Sequence, residues 1–361
     1  MEFNDAFSSD YISARTHFRE LSDQLTDNLN TYPVFSSGED LTIDVATLGE
    51  PKARCTVIIS SGLHGVEGFV GSAVQIAFLD RLIHHEIHMS DYNVVLIHAI
   101  NPYGFKHLRR VNEDNVDLNR NFLVDFNTKP AATDYIKFNS LLNPHCVPGG
   151  FDVFTLKAYY YICRYGIAPL RQSITAGQYD FPNSLFYGGE SAAQSTKLIE
   201  QILLGISTRG KNILHVDIHS GLGQYADYKL LLHEYDQLNK SAGYMSVFNS
   251  EKIELIGEFG GITGTISGTI SDYFCQIMGG NYRHIGLEFG TYSNLRLLKT
   301  MRLENAAHHY LDDTDDHKKT IQAEFLECFC PSDPSWRSAV IEQGLTVIDQ
   351  AITAGSLADT G

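Results

Sequence analysis

The chain has 361 residues, of which 43% are hydrophobic, so it can bury a full core in one large domain or two modest ones. Its formal net charge of −16 argues against nucleic acid as a partner, because phosphate binding needs a dense basic surface. No stretch approaches the roughly 18 consecutive apolar residues of a membrane-spanning helix, so a membrane partner is not expected.

The N-terminal residues and the cysteines both indicate a cytoplasmic protein. Residues 1–11 carry three acidic side chains and lack the basic and apolar regions of a secretory signal. The six cysteines are dispersed, several of them inside apolar runs, which favours reduced buried thiols over a disulfide framework. The sequence leaves homo-oligomerisation open.

Apolar and small residues recur at helical spacing over 10–25, which predicts an N-terminal amphipathic helix. Two short segments of β character follow at 32–35 and 41–48. Four continuous apolar runs then predict strands that are buried on both faces, at 55–60, 93–100, 213–218 and 284–289. Helical segments at 71–88 and 191–207 separate these runs.

This alternation of buried strands and helices predicts an α/β fold with a mixed, largely parallel twisted sheet flanked by helices. No internal repeat or Pro/Ser-rich linker is present, so we expect a single domain over residues 1–361. Residues 123–190 are rich in aromatic side chains and continue the core pattern poorly. We interpret them as an insertion packed near the active site.

Polar residues follow the predicted strands at the carboxyl edge of the sheet, where ligands bind in such folds. His64 and Glu67 follow the first apolar run in a glycine-rich turn, and His219 follows the third. Two His and one Glu with an open fourth position form the ligand set of a hydrolytic zinc site, which predicts one Zn²⁺ ion. His215 is an alternative third ligand, but strand alternation places it deeper along the same strand.

Glu288 lies in the otherwise apolar run at 284–289. Burying a lone carboxylate is costly, so this residue is expected to have either a partner or a function. A structural salt bridge is the alternative to a catalytic role.

The segment 101–122, NPYGFKHLRRVNEDNVDLNRNF, is the most distinctive in the chain. Together with His64-x-x-Glu67 it resembles the zinc carboxypeptidase superfamily, the M14-type metallopeptidases. Members of that superfamily combine a His-x-x-Glu with a downstream Asn-Pro-x-Gly, an Arg and an Asp-x-Asn-Arg-Asn block. The sequence is most similar to the branch known as DUF2817, and the likeness extends from Tyr11 to about Leu311.

The resemblance implies a zinc carboxypeptidase-like fold and a role for each matching residue. Asp117 would accept the free N–H of His64 and fix its tautomer. Arg110 would stabilise the oxyanion, although Arg109 could instead fill that role; otherwise Arg109 is expected to bind substrate. Glu288 would be the general base.

Asn119 and Arg120 match the pair that binds a terminal carboxylate in carboxypeptidases, where an arginine binds the carboxylate bidentately and the amide orients it. The sequence also departs from the peptidase pattern. Carboxypeptidases place a mobile tyrosine shortly before the strand of the base, whereas the glycine-rich run 260–268 has none. The missing tyrosine counts against C-terminal exopeptidase specificity but not against metal-dependent hydrolysis.

Together these features predict a zinc-dependent hydrolase that cleaves an amide bond in a small substrate bearing a carboxylate. A short peptide and an N-acyl amino acid, as in aspartoacylase-like relatives, fit the predicted site about equally. A third alternative is a protein that binds a metal or ligand without catalysis. The presence of Glu288 and Arg110 counts against it.

Overall fold

A computed structural model describes residues 3–35, 37–49, 53, 55–85, 93–129, 134–149, 152–207, 212–232, 246–255 and 267–357. The strands are β1 (Leu29–Pro33), β2 (Thr42–Gly49), β3 (Cys55–Ser61), β4 (Asn93–His98), β5 (Asn212–Gly221), β6 (Tyr228–Leu232), β7 (Ile253–Leu255) and β8 (Tyr282–Gly290). The helices are α1 (Tyr11–Asp23), α2 (Gly68–His85), α3 (Pro102–Lys106), α4 (Tyr135–Leu142), α5 (Phe154–Tyr165), α6 (Ile167–Thr175), α7 (Gln194–Ser207), α8 (Ile270–Met278), α9 (Asn294–Tyr310), α10 (Asp316–Phe329) and α11 (Pro334–Leu357).

These eight strands form one sheet in the order β1-β2-β4-β3-β5-β8-β6-β7. The four central strands, β4, β3, β5 and β8, run parallel to one another. Antiparallel pairs join β1 to β2, β2 to β4 and β6 to β8. The predicted mixed, largely parallel sheet is therefore confirmed.

The four central strands are the four apolar runs of the sequence. In β3, the consecutive residues Val57, Ile58 and Ile59 are all buried, although successive side chains of a strand point to opposite faces. Both faces of the strand are thus covered. Helices α2 and α11 both contact β3, and Gly344 of α11 lies so close to α2 that a Cβ there would fall 2.8 Å from Val74.

The predicted helices appear as α1, α2 and α7, with bounds that differ by a few residues. None of the described helices is long and apolar enough to cross a bilayer.

The segment expected to be an insertion, 123–190, contains α4, α5 and α6. These helices pack with α9 and α10 in a second apolar cluster, separate from the cluster around the sheet. Its members include Phe138, Phe154, Leu170, Phe186, Leu298, Met301 and Phe329. This cluster lies against the active-site turn, because Val66, between His64 and Glu67, belongs to it.

Candidate active site

The turn after β3 fixes the first two ligand candidates. His64 directly precedes a single helical turn, Gly65–Glu67, which leads into α2. The backbone N–H of Gly65 donates to the carbonyl of Arg110 at 3.0 Å, and that of Val66 to the carbonyl of Arg109 at 2.8 Å. A Cβ at Gly65 would lie 2.1 Å from the backbone of Gly104, so this close approach requires glycine.

His64, Glu67 and His219 are buried together, and their ligand atoms lie within 4.8 Å of one another. Nδ1 of His219 lies 3.0 Å from Oε2 of Glu67. Nδ1 of His64 lies 2.9 Å from Oε1 of Glu67 but without hydrogen-bond geometry, and it has no hydrogen-bond partner among the described residues. Two ring nitrogens and a carboxylate that converge on one point fit the donor set of a catalytic zinc ion.

An aspartate lies behind each histidine. Nε2 of His64 is 3.3 Å from Oδ1 of Asp117, and Nε2 of His219 is 2.8 Å from Oδ2 of Asp217. A proton on Nε2, donated to the aspartate, leaves Nδ1 with the lone pair that a metal needs. Burial raises the pKa of Asp117, but the charges of Arg110, His64 and Arg120 and the hydrogen bond to His64 together outweigh it and hold that pKa well below its usual range.

Sequence reasoning did not assign a role to Asp217. A signal was present, because Asp217 precedes His219 by two residues in a strand, and the two side chains therefore share a face. His215 shares the same face but is bonded elsewhere, with Nε2 2.7 Å from Oγ of Ser60 and Nδ1 2.7 Å from Oη of Tyr282. The structure places His219, not His215, beside Glu67.

Arg110 lies in the segment that follows α3, and its guanidinium contacts the cluster of His64, Glu67 and His219. It donates from Nη1 to Oε1 of Glu67 at 3.1 Å and from Nε to Oδ2 of Asp117 at 3.2 Å. Its Nη2 lies 2.7 Å from Nε2 of His64, which can accept only when the ring proton is on Nδ1. Moving that proton to Nε2 lets His64 donate to Asp117 instead.

Arg109 points away from this cluster. Its Nε donates to Oε1 of Glu304 at 2.8 Å and its Nη2 to Oδ1 of Asn115 at 2.9 Å, and it is almost completely buried. Arg109 is not among the described residues that line the cavity. The expectation that it could contact substrate is therefore corrected: Glu304 and Asn115 hold it in a structural role.

Glu288 faces the ligand cluster because β8 pairs with β5 in a register that sets it opposite His219. Its Oε1 accepts a hydrogen bond from the backbone N–H of Leu222 at 2.9 Å. Burial, reinforced by the charge of Glu67, raises the pKa of Glu288 to about 8. No ion pair to Glu288 is present among the described residues.

Asn119 and Arg120 lie on a short helical turn that Asp117 begins, accepting the N–H of Asn119 at 3.0 Å. Oδ1 of Asn119 accepts the N–H of Ile270 at 3.2 Å. Arg120 is 6% exposed; its Nη1 donates to the carbonyl of Asn119 at 2.7 Å, and its Nε has no hydrogen-bond partner in the described part of the chain. Burial lowers the pKa of Arg120, and none of the described carboxylates forms an ion pair with it.

One cavity of about 400 Å³ joins these groups. The predicted residues that line it are His64, Glu67, Arg110, Asn119, Arg120, His219 and Glu288. The rest of the lining is mainly apolar and includes side chains of α6 and α9. Of the glycine-rich run 260–268, residues 260–266 lie outside the described residues, whereas Gly268 lies against the backbone of Arg120.

A family model described as "Protein of unknown function (DUF2817)" matches residues 7–343. No curated protein matches the chain. Carboxypeptidase A from Helicoverpa armigera is similar in structure, with a TM-score of 0.56 at 16% identity over 98% of this chain and 74% of that one. Bovine thrombin-activatable fibrinolysis inhibitor, solved with tick carboxypeptidase inhibitor, has a TM-score of 0.49 at 13% identity over 93% and 97% of the two chains. The first likeness shows a carboxypeptidase-like fold.

Proposed function

Because the chain belongs to the DUF2817 family and has a zinc carboxypeptidase-like fold, we propose that it is a zinc-dependent hydrolase that cleaves an amide bond next to a free carboxylate. One observation carries the proposal. A single cavity holds three residues suited to bind a metal, a buried carboxylate opposite them, and the buried cation of Arg120, which has no ion-pair partner in the described part of the chain.

His64, Glu67 and His219 would hold one Zn²⁺ ion, with Asp117 and Asp217 orienting the two rings. Zinc bound there would supply a Lewis acid for the scissile carbonyl and would lower the pKa of water. The chain itself must move the protons, stabilise the oxyanion and bind the substrate.

Glu288 is suited to act as the general base. It takes a proton from the attacking water and later passes it to the leaving amine. Because Leu222 holds one of its oxygens by a backbone N–H, the other oxygen is left to accept that proton. The positive charge of a bound metal would favour the ionised form of Glu288 that this role requires.

Arg110 is suited to stabilise the oxyanion that forms when water attacks the carbonyl. Its guanidinium is always charged and presents several N–H donors at the edge of the ligand cluster. Arg120 would bind the substrate carboxylate, since a buried cation without an ion-pair partner gains most from an anion. Asn119 would fix the orientation of that carboxylate.

Two substrate classes place an amide next to a free carboxylate: short peptides, including cell-wall-type peptides, and N-acyl amino acids. Of the two, the first proposal is that the protein is a metallopeptidase of carboxypeptidase type, which cleaves short peptides. The deacylase is its alternative, and both use the same residues.

The test is an assay of zinc-loaded protein on a panel of dipeptides and a panel of N-acyl amino acids, with Glu288→Gln as the variant. We expect hydrolysis by the wild type and a fall in kcat of about 10²- to 10⁴-fold in the variant, with its zinc content unchanged by elemental analysis. Glu251→Gln, at an exposed position, is the matched control and should keep full activity. Hydrolysis that survives Glu288→Gln or complete metal removal would contradict the mechanism, and activity on N-acyl amino acids alone would favour the deacylase.

A further inference from the structure

We propose that the acyl side of the scissile amide is an extended alkyl chain, so that the substrates are N-acyl amino acids of medium to long chain length. This inference rests on the proposed function, and of its two substrate classes it selects the N-acyl amino acids, the alternative to the peptidase. The observation behind it is a part of the cavity lining that contains none of the catalytic groups, here called the α6–α9 wall. Its residues are Ile167, Leu170 and Ile174 of α6 and Leu295, Leu298 and Met301 of α9.

The carboxylate site and the base lie on different elements that line the cavity. Arg120 and Asn119 lie against Gly268 and Ile270 at the start of α8, and Arg120 also lies against Gly177, just after α6. Glu288 lies on β8 beside His219 and is bonded to Leu222. With the substrate carboxylate on Arg120 and the scissile amide at the metal ligands, the proposal places the acyl group beside Leu222.

The side chains around Leu222 are apolar. Phe329 lies over Gly221, where a Cβ would fall 3.2 Å from its ring, and Ser220 donates to the carbonyl of the same residue at 2.7 Å. Phe329 and Leu222 belong to, or pack against, the second apolar cluster, together with Leu298 of α9. An acyl group in the proposed position would therefore lie within a hydrophobic cluster.

The wall continues from this interior to the surface. Leu298 is 9% exposed, whereas Ile167 of α6 is 46% exposed and Leu295 of α9 is 43% exposed. Two large apolar side chains thus stand at the mouth, one on each helix. An alkyl chain leaving the metal site would cover both, which explains their exposure better than a substrate confined to the interior.

The wall suits an alkyl chain better than a peptide. Each peptide unit carries an N–H and a C=O that lose free energy when buried without partners. The backbone groups in the middle of α6 and α9 are bonded inside their helices, whereas the first N–H groups of each helix, at Ile167 and at Leu295, have no partner inside the helix and lie at the mouth. The polar side chains that these helices add to the lining are those of Arg171, which is half-buried, and Asn294, which is exposed. A peptide on the acyl side would have few partners along this wall.

The experiment compares N-acetyl-, N-hexanoyl-, N-octanoyl- and N-lauroyl-L-alanine with the peptide N-acetyl-Leu-Leu-Ala on zinc-loaded protein. Burying each methylene should raise kcat/KM by about threefold until the wall is covered, so octanoyl should exceed acetyl by about 100-fold or more. It should also exceed the peptide. A second readout is binding of N-octanoyl- and N-acetyl-L-alanine to Glu288→Gln by calorimetry, where the octanoyl compound should bind more tightly by a similar factor.

Variants of the two exposed residues at the mouth, here called rim variants, test whether the alkyl chain lies between α6 and α9. Ile167→Asp and Leu295→Asp should each lower the octanoyl-to-acetyl ratio by about tenfold. Leu204→Asp, at a 38% exposed position of α7 that does not line the cavity, is the matched control and should leave the ratio unchanged.

Three outcomes separate the two proposals. Hydrolysis that is equal for all chain lengths, or best for the peptide, overturns the alkyl chain and leaves the proposed function standing. No hydrolysis of any amide, with octanoyl binding still tighter than acetyl, overturns the proposed function and supports the apolar site. Ratios unaffected by the two rim variants overturn the placement of the chain between α6 and α9.

Discussion

Arg120 is a buried guanidinium that pairs with none of the described carboxylates, which is costly unless the substrate supplies the anion. We predict that Arg120→Gln lowers kcat/KM by about 100-fold on a substrate with a free carboxylate, since a buried charged pair typically contributes a few kcal/mol. The measurement is steady-state kinetics with the acid and with its C-terminal amide. For the wild type, kcat/KM on the amide should be about 100-fold lower than on the acid, which equals the loss that Arg120→Gln causes on the acid. For the variant, kcat/KM should be similar on both substrates.

Arg171 provides the matched control because it also lines the cavity but is only half-buried. Arg171→Gln should change kcat/KM on the acid by less than about threefold, because the charge of a half-buried side chain is still screened by water. If Arg171→Gln instead abolished discrimination between acid and amide, the carboxylate site would have to be reassigned.

The sequence could predict which residue types meet at the site but not the direction of every side chain. The resemblance assigned Asp117 to His64, and the structure places them 3.3 Å apart. It could not separate Arg109 from Arg110, because two adjacent residues in irregular backbone follow no periodicity. What separates them is Glu304, which binds Arg109 from 195 positions along the chain.

The strand β5 supplies both a ligand and the group that orients it, since Asp217 and His219 alternate onto one face. We predict that Asp217→Asn weakens zinc binding by about 10- to 100-fold, because the amide cannot accept the Nε2 proton as strongly as a carboxylate. The affinity is measured by competition with a chelator of known zinc affinity. Asp227→Asn, which breaks an ion pair with Lys252 instead, should leave the affinity unchanged.

The turn that joins β3 to α2 depends on the close approach of two backbones. Gly65→Ala would place a Cβ 2.1 Å from the backbone of Gly104, which cannot move as a side chain would. We predict a loss of about 1–3 kcal/mol in the free energy of unfolding, together with weaker zinc binding, because His64 and Glu67 share this turn. Denaturant unfolding and zinc titration test both parts.

The control for this change is Gly205→Ala. Gly205 lies in α7, and a Cβ there meets no atom within 4 Å. Alanine should therefore stabilise the protein by up to about 1 kcal/mol, through helix propensity. A destabilisation equal to that of Gly65→Ala would show that the contact at the turn is not the cause.

Elements were predictable in proportion to their length and burial. The four central strands are continuous apolar runs, and each was identified from sequence with small shifts at its ends. Strand β7, Ile253–Leu255, has three half-buried residues and gives no periodic signal. This strand forms because it pairs in parallel with β6. Such pairing depends on the fold and cannot be predicted from a short stretch of sequence.

At the scale of the whole molecule, the α/β class followed from alternating strands and helices. For the 123–190 segment the sequence suggested a place near the active site, but not the elements against which it packs. That position depends on contacts such as Nε of Arg302 with the carbonyl of Leu141, at 2.8 Å and 161 positions apart. Its apolar composition indicates that the segment packs against the rest of the protein, but many surfaces of the protein could bury those apolar side chains. Because the segment packs at the active-site edge of the sheet, its helix α6 contributes to the apolar wall of the cavity.

Buried neutral histidines make the stability of the whole molecule depend on pH. His98 at the end of β4 is fully buried, stacks on Phe18 with ring centroids 4.6 Å apart, and has Nε2 2.9 Å from Oγ of Ser72. Burial, against the opposing charge of Asp44, lowers the pKa of His98 from 6.5 to about 4. The unfolded chain therefore binds a proton between pH 6.5 and about 4 that the folded protein does not, and stability must fall as the pH falls through that window.

We predict that the free energy of unfolding of metal-free protein loses about 1.4 kcal/mol per pH unit through His98 over this window. Other groups titrate in the same range; the raised pKa of Glu288, for example, acts in the opposite direction. The test is therefore the difference between the wild type and His98→Gln, measured by denaturant unfolding at pH 7, 6, 5 and 4.5. Below pH 6.5 the deficit of the variant should shrink steadily, since glutamine takes up no proton. Two parallel curves would show that His98 is already charged in the folded protein, or that the site opens to water before it titrates.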